Sequence, residues 1–134
     1  MSQQFGSDCQ MASAAVSIPT TTETTVLTLN ALRVPFLNGK MVVMGVVFVT
    51  WGTGTTSANL RVRRNASAEN IVLGGGALGL TAVAGQTVAI PFAFNDQVPD
   101  GRDCIYSLTI QQVAATGNGS ALAGSTMDGI VLSG

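Results

Sequence analysis

The eleven residues Met41 to Trp51, MVVMGVVFVTW, carry no charge and include five valines. β-Branched residues at that density favour an extended strand. Successive side chains of a strand point to opposite faces. The run therefore divides into an odd row, Met41, Val43, Gly45, Val47, Val49 and Trp51, and an even row, Val42, Met44, Val46, Phe48 and Thr50. Both rows are apolar almost throughout. A strand in a two-layer domain buries one face against the opposite layer, so the second face needs a cover of its own. The even row has the bulkier side chains, Met44 and Phe48, and is expected to face the core. The odd row, with Val43, Gly45, Val47 and Val49, is then expected to meet neighbouring subunits, where Gly45 permits close approach.

Composition sharpens the need for cover. Charged residues make up 10% of the 134, against about a quarter in ordinary soluble domains. A monomer so poor in charge exposes a neutral surface, and an obligate oligomer hides part of it. The length suits one domain with a sizeable core. Net charge is −1, with one Lys and five Arg, and the first 32 residues hold neither. That leaves no electrostatic footprint for nucleic acid, no basic region of a signal peptide, and no basic arm for a genome. No apolar segment is long enough for a membrane helix. A membrane β-barrel would need aromatic girdles that 5% aromatic residues do not supply.

Residues 1–16 are small and polar without periodicity and read as a flexible N-terminal arm before a domain at 17–134. From Ile18 onward the signals are those of strands. Thr24 to Leu32 is rich in Thr, Val and Leu, and Asn38-Gly39 is a tight-turn signature leading into the opening run. In Ala58 to Arg64, Leu60 and Val62 alternate with Arg61 and Arg63. A short strand, Ile71 to Leu73, ends at three glycines. Val88, Ile90, Phe92 and Phe94 share one face, and Pro91 among them marks an edge or a bulge. Tyr106, Leu108 and Ile110 point inward; Ser107, Thr109 and Gln111 point outward. Gly124 and Gly129 are expected bulges in the last strands. About eight strands with turns between them leave no room for crossover helices, so the expected fold is all-β: an antiparallel jelly-roll sandwich.

Much chemistry is missing from the sequence. It has no histidine, which removes Ser-His-Asp and Cys-His catalysis and the commonest zinc sites. No catalytic residue, cofactor or metal is expected. Asp96, Asp100 and Asp103 cluster in one segment, but without the alternating acidic pattern of a calcium loop they read as turn formers. Gly74 to Gly79 fits a dinucleotide pattern formally, yet β-rich sequence follows where that fingerprint needs a helix. Cys9 and Cys104 are far apart and read as reduced thiols. Asn65-Ala66-Ser67 and Asn118-Gly119-Ser120 match the glycosylation pattern by chance. Arg61, Arg63 and Arg64 are the one basic cluster, either a solvated strand face or a docking contact for an acidic partner surface.

Several stretches carry a family resemblance: Ile18 to Thr24 (IPTTTET), Leu60 to Arg64 (LRVRR), Ala84 to Val88 (AGQTV), Tyr106 to Gln112 (YSLTIQQ) and Ala115 to Gly119 (ATGNG). Over roughly residues 16 to 132 the chain resembles the small jelly-roll structural proteins of tailed bacteriophages, among them the decoration, or cement, proteins of the head. The resemblance implies a homotrimer of tumour-necrosis-factor-like jelly rolls. Its partners would be itself and the major capsid protein, with no nucleic acid and no membrane. It would be made in the host cytoplasm and sit on the outer capsid surface of the virion. One alternative is a phage fibre knob or carbohydrate-binding module, for which Trp51 and Tyr106 are the candidate stacking aromatics. A second is a jelly-roll capsid protein.

Overall fold

A computed structural model describes residues 4–33, 39–64, 69–71, 78–98 and 103–132. Its strands are β1 (Gln4–Met11), β2 (Val16–Ile18), β3 (Thr24–Thr28), β4 (Leu32–Arg33), β5 (Gly39–Thr50), β6 (Ser57–Arg64), β7 (Glu69–Ile71), β8 (Leu78–Thr81), β9 (Thr87–Val98), β10 (Asp103–Cys104), β11 (Tyr106–Val113), β12 (Gly119–Ala121) and β13 (Thr126–Leu132). Every pairing is antiparallel. In the first sheet β9 pairs with β5; β5 pairs on its other side with β12 and β13; β2 and β1 pair in turn with these. In the second, β3, β11 and β6 lie side by side, with β7 and β8 both beside β6. Because β1 and β2 lie end to end, as do β12 and β13, each sheet has four lanes. The chain is an all-β jelly-roll sandwich, as its strand pattern predicts. A short β4–β10 pair lies apart from both sheets.

The core lies between the sheets. From the first it takes Met41, Val43, Val47 and Val49 of β5, Ile90, Phe92 and Phe94 of β9, and Met127 and Val131 of β13. From the second it takes Val26 and Leu27, Leu60 and Val62, and Tyr106, Leu108 and Ile110. The inner rows of β9 and β11 resolve as expected, while Ser107 and Thr109 of the outward row of β11 are buried. β9 pairs only with β5 among the described residues, which leaves Pro91 on an edge strand where its missing N–H is tolerated.

Three expectations are corrected. The odd row of β5 faces the core: Val43, Val47 and Val49 are buried within the chain and are not surface for a neighbour. Met44 and Phe48, expected inside, are 37% and 36% exposed. Gly45 serves an approach inside the chain, since a Cβ there would collide with the Thr126 carbonyl of β13 and lie 2.9 Å from the Phe92 ring. The N-terminal arm is largely a strand, with Ser7 to Met11 paired residue by residue with Ile130 to Thr126. A strand held by backbone hydrogen bonds at a sheet margin needs no apolar alternation, which is why its polar sequence concealed it. Finally, Gly129 stays in register opposite Asp8 and Val43; it is glycine because a Cβ would lie 2.7 Å from a Leu29 methyl. Gly124, with φ of 88°, lies in the turn between β12 and β13 and not in a bulge within a strand.

The β5 assignment has a direct test. Val47→Asp places a carboxylate in the core with no partner, which should cost about 3–5 kcal/mol or more. Circular dichroism should show loss of the β-fold itself.

Candidate functional site

The outer face of the first sheet follows from its registers. Val42, Met44, Val46 and Phe48 of β5 stand opposite Asn95, Ala93, Pro91 and Ala89 of β9. On the other side Val42, Met44 and Val46 meet Ile130, Asp128 and Thr126 of β13. Met11, opposite Thr126, extends this surface and is 67% exposed. Leu122 donates its backbone N–H to the Phe48 carbonyl at 2.8 Å, bringing another half-buried apolar residue alongside. The result is a broad, nearly uncharged apolar sheet face. Asp128 interrupts it and accepts the S–H of Cys9, which lies directly opposite, so the exposed thiol is held above its ordinary pKa.

The outer face of the second sheet has the contrary character. Arg61 and Arg63 stand opposite Thr109 and Ser107 of the central strand β11. Glu23, just before β3, binds both: Arg61 at 2.7 Å, and Arg63 twice, at 2.7 and 2.9 Å. Arg61 also donates to the Gln111 side-chain carbonyl at 3.0 Å. These long side chains lie across β11 and bury Thr109 and Ser107, which alternation alone would leave in solvent. The Arg63 hydrogen bond, with the charges of both arginines, holds the Glu23 carboxyl below its ordinary range despite its partial burial.

Two polar clusters join elements across the fold. In one, Asp96 of β9 accepts the Tyr106 hydroxyl at 2.6 Å and the Arg64 guanidinium at 2.7 Å, linking the two sheets. Burial, and then the bond to Asp96, pushes the Tyr106 phenol far above its ordinary pKa. In the other, the buried Gln112 amide accepts the Gly52 N–H at 2.7 Å and the Thr55 hydroxyl at 3.1 Å, and donates to the Thr20 and Ile18 carbonyls at 2.9 and 3.3 Å. Gly52 and Gly119 have no room for a side chain here: a Cβ on the first would collide with the Gly117 carbonyl, and on the second it would lie 2.5 Å from the Gln112 oxygen.

The residues singled out from sequence fall into place as follows. The basic cluster divides: Arg61 and Arg63 share Glu23 on an outer face, while Arg64 turns to Asp96. Asp96 is thus engaged with a cation and a phenol, Asp103 pairs with Arg33 at 3.5 Å, and Asp100 lies outside the described residues. Gly74 to Ala77 and the sequon at 65–67 also lie outside them, as do Asn38, Leu73 and Arg102. Asn118 accepts the Thr20 N–H. Cys104 is buried and Cys9 exposed, and neither forms a disulfide among the described residues. Trp51 and Tyr106 are both buried, at 2% and 0% exposure, and neither offers a ring to a sugar. Glu23 and Gln112 carry no sign of their roles in the sequence, whereas the apolar even row is visible there but is expected in the core and lies outside.

No protein-family model matches the sequence, and no curated protein matches it. Among solved structures the chain is similar to VP2 in the subviral particle of infectious bursal disease virus, with 11% identity and a TM-score of 0.54 over 97% of this chain and 32% of that one. It is similar to the C-terminal domain of the sugar-binding protein EclA, with 14% identity and a TM-score of 0.48 over 88% and 79% of the two chains. It is similar also to Eiger, a tumour necrosis factor of S. frugiperda, with 10% identity and a TM-score of 0.45 over 96% and 92%. The chain spans about a third of the VP2 chain. At such identities the likeness is one of fold, and the fold is the jelly roll.

Two titrations probe the polar clusters. The lowered pKa of Glu23 means that its ion pairs stabilise the fold fully above the ordinary value of 4.5, and that this is lost as pH falls through the lowered value. Glu23→Gln should therefore flatten the acid limb: its melting temperature should drop less than that of the natural chain between about pH 6 and pH 3. Tyr106 is the only tyrosine. Its raised pKa favours the folded state below the ordinary value of 10, and the advantage is lost as pH rises beyond that. Phenolate absorbance at about 295 nm should thus stay low past about pH 10 and rise only together with unfolding.

Proposed function

We propose that this chain is a non-catalytic structural protein of a virus particle, a homotrimer assembled through the outer face of its first sheet, and that it decorates the outer surface of a bacteriophage head. The observation that carries the reading is the apolar outer face centred on Met44 and Phe48, in a chain with 10% charged residues. An apolar surface of this breadth on a protein so poor in charge is covered most favourably by a like surface, and identical copies supply one. The odd row of β5 has no part in this contact; the even row takes its place. The second sheet, with its hydroxyls and its ion pairs, then stays at the periphery of the trimer.

The capsid contact is the finer part of the proposal. Arg61 and Arg63 remain on the surface as two guanidiniums against one carboxylate, a cluster with a positive balance suited to an acidic capsid surface. Arg64 is committed to the Asp96 pair and is not part of that offer. The carbohydrate-binding reading is weakened by the burial of Trp51 and Tyr106, which withdraws the aromatic platforms on which it depended. The reading as a shell-forming capsid protein keeps the support of the fold but gains none from the charge, because the described surface holds no basic tract to meet a genome.

Sedimentation and circular dichroism test the assembly. Phe48→Asp puts a charge on a residue that is exposed in the single chain, so the fold should survive while the trimer dissociates to monomers. A natural chain that sediments as a monomer at micromolar concentration, or a Phe48→Asp variant that remains a trimer, contradicts the proposed face. Cosedimentation with undecorated heads of the particle that carries the protein tests its location. Failure to bind would remove the decoration role.

A further inference from the structure

We infer that β1 is an exchangeable strand, and that in the assembled protein the β13 edge is occupied by β1 of a second copy of this chain. The inference rests on the self-assembly proposed above but concerns a different contact. None of the side chains described in β1, from Gly6 to Met11, is buried, and the core begins at Ile18. The strand is held by its backbone ladder to β13, by the Cys9 S–H on Asp128, and by the carboxylate of Asp8. That carboxylate accepts the Asn30 N–H at 2.9 Å and the Gln10 amide at 3.0 Å, and its pKa is lowered by these bonds. An element that fills no core leaves no cavity when it departs.

The acceptor stays formed without it. β13 is anchored from below by Met127 and Val131, both fully buried, and from its far side by seven residue pairs with β5. With β1 gone, the edge from Thr126 to Leu132 would present unpaired backbone in a fixed register, which an extended strand completes. The β1 of another copy fits that register by identity, so every β1–β13 pair is conserved on exchange. Between the two arrangements only the connection to β2 differs. Ser13, Ala14 and Ala15 in that connection are exposed. The latch at its start consists of two backbone bonds, Ala12 N–H to the Ser125 carbonyl and Gly124 N–H to the Ala12 carbonyl, both 2.8 Å. A short hinge beside a strand with no fully buried side chain among those described is the arrangement in which exchange between copies is least costly.

Cys9 supplies a reporter, because it stands directly opposite Asp128 across the β1–β13 ladder. Directly opposed residues lie at a separation that a disulfide can span. In the full chain, Asp128→Cys places a second thiol in register with Cys9. Mild oxidation with copper phenanthroline, applied to protein whose sedimentation has first been measured, then records which chain donates each strand. The expected result is an oligomer in which most of the 9–128 linkage joins two chains, seen as multiples of the chain mass on a non-reducing gel and confirmed by peptide mass mapping. Thr126→Cys, opposite Met11 and out of register with Cys9, should give little linkage. An oligomer whose 9–128 linkage lies within single chains overturns the exchange and leaves the assembly standing. A monomer linked only within itself overturns both. If Asp128→Cys does not fold, the neighbouring pair Ser7→Cys with Ile130→Cys, in a Cys9→Ser chain, asks the same question in the same register.

Discussion

The pairing of β5 on both of its edges is the constraint from which the rest of the structure follows. Along its whole length, Gly39 to Thr50, it is matched to β9, and on the other side it carries β13 and then β12. A central strand has no freedom of phase. Once its odd row lies against Phe92 and Phe94, its even row lies outward with Ala89, Pro91 and Ala93, and the two layers of the sandwich are set. The close approach at Gly45 belongs to the same constraint, because the Thr126 carbonyl and the Phe92 ring occupy the space that a side chain would take.

The fold class was legible, and the reason lies in particular strands. β9 and β11 face the core on one side only, so their hydrophobic pattern has a period of two and names its own inner face. β5 is apolar on both sides, and its pattern cannot. Bulk was a poor guide: Met44 and Phe48 are larger than Val43 and Val47, yet the smaller row is the one that interdigitates with the opposite sheet. The alternation of β9 would have decided the phase had the register between the two strands been known. A tight hairpin would have set it, but here the chain passes through β6, β7 and β8 between them.

The polar features were hidden for another reason. Glu23 meets Arg61 and Arg63 across about forty positions of sequence, and Gln112 ties together two distant segments, the loop of Gly52 and Thr55 and the turn at Thr20. No local pattern announces such partners. In sequence an arginine held by a carboxylate reads the same as a free one. β1 is the extreme case, since it is specified by the edge it lies on and hardly at all by its own side chains.

The order of the strands along the chain has a consequence for synthesis. β1 and β2 are made before the other strands described, yet among the described residues they pair only with β13 and β12, which are made after the rest. The first sheet cannot close until residue 132 exists. Throughout translation the early strands wait without partners while β3, β6 and the long apolar β5 accumulate beside them. Contacts so distant in sequence form slowly, and the waiting segments are open to capture by other nascent chains. The polar, uncommitted composition of the first sixteen residues suits that interval: they can remain in water until the edge they complete has been built.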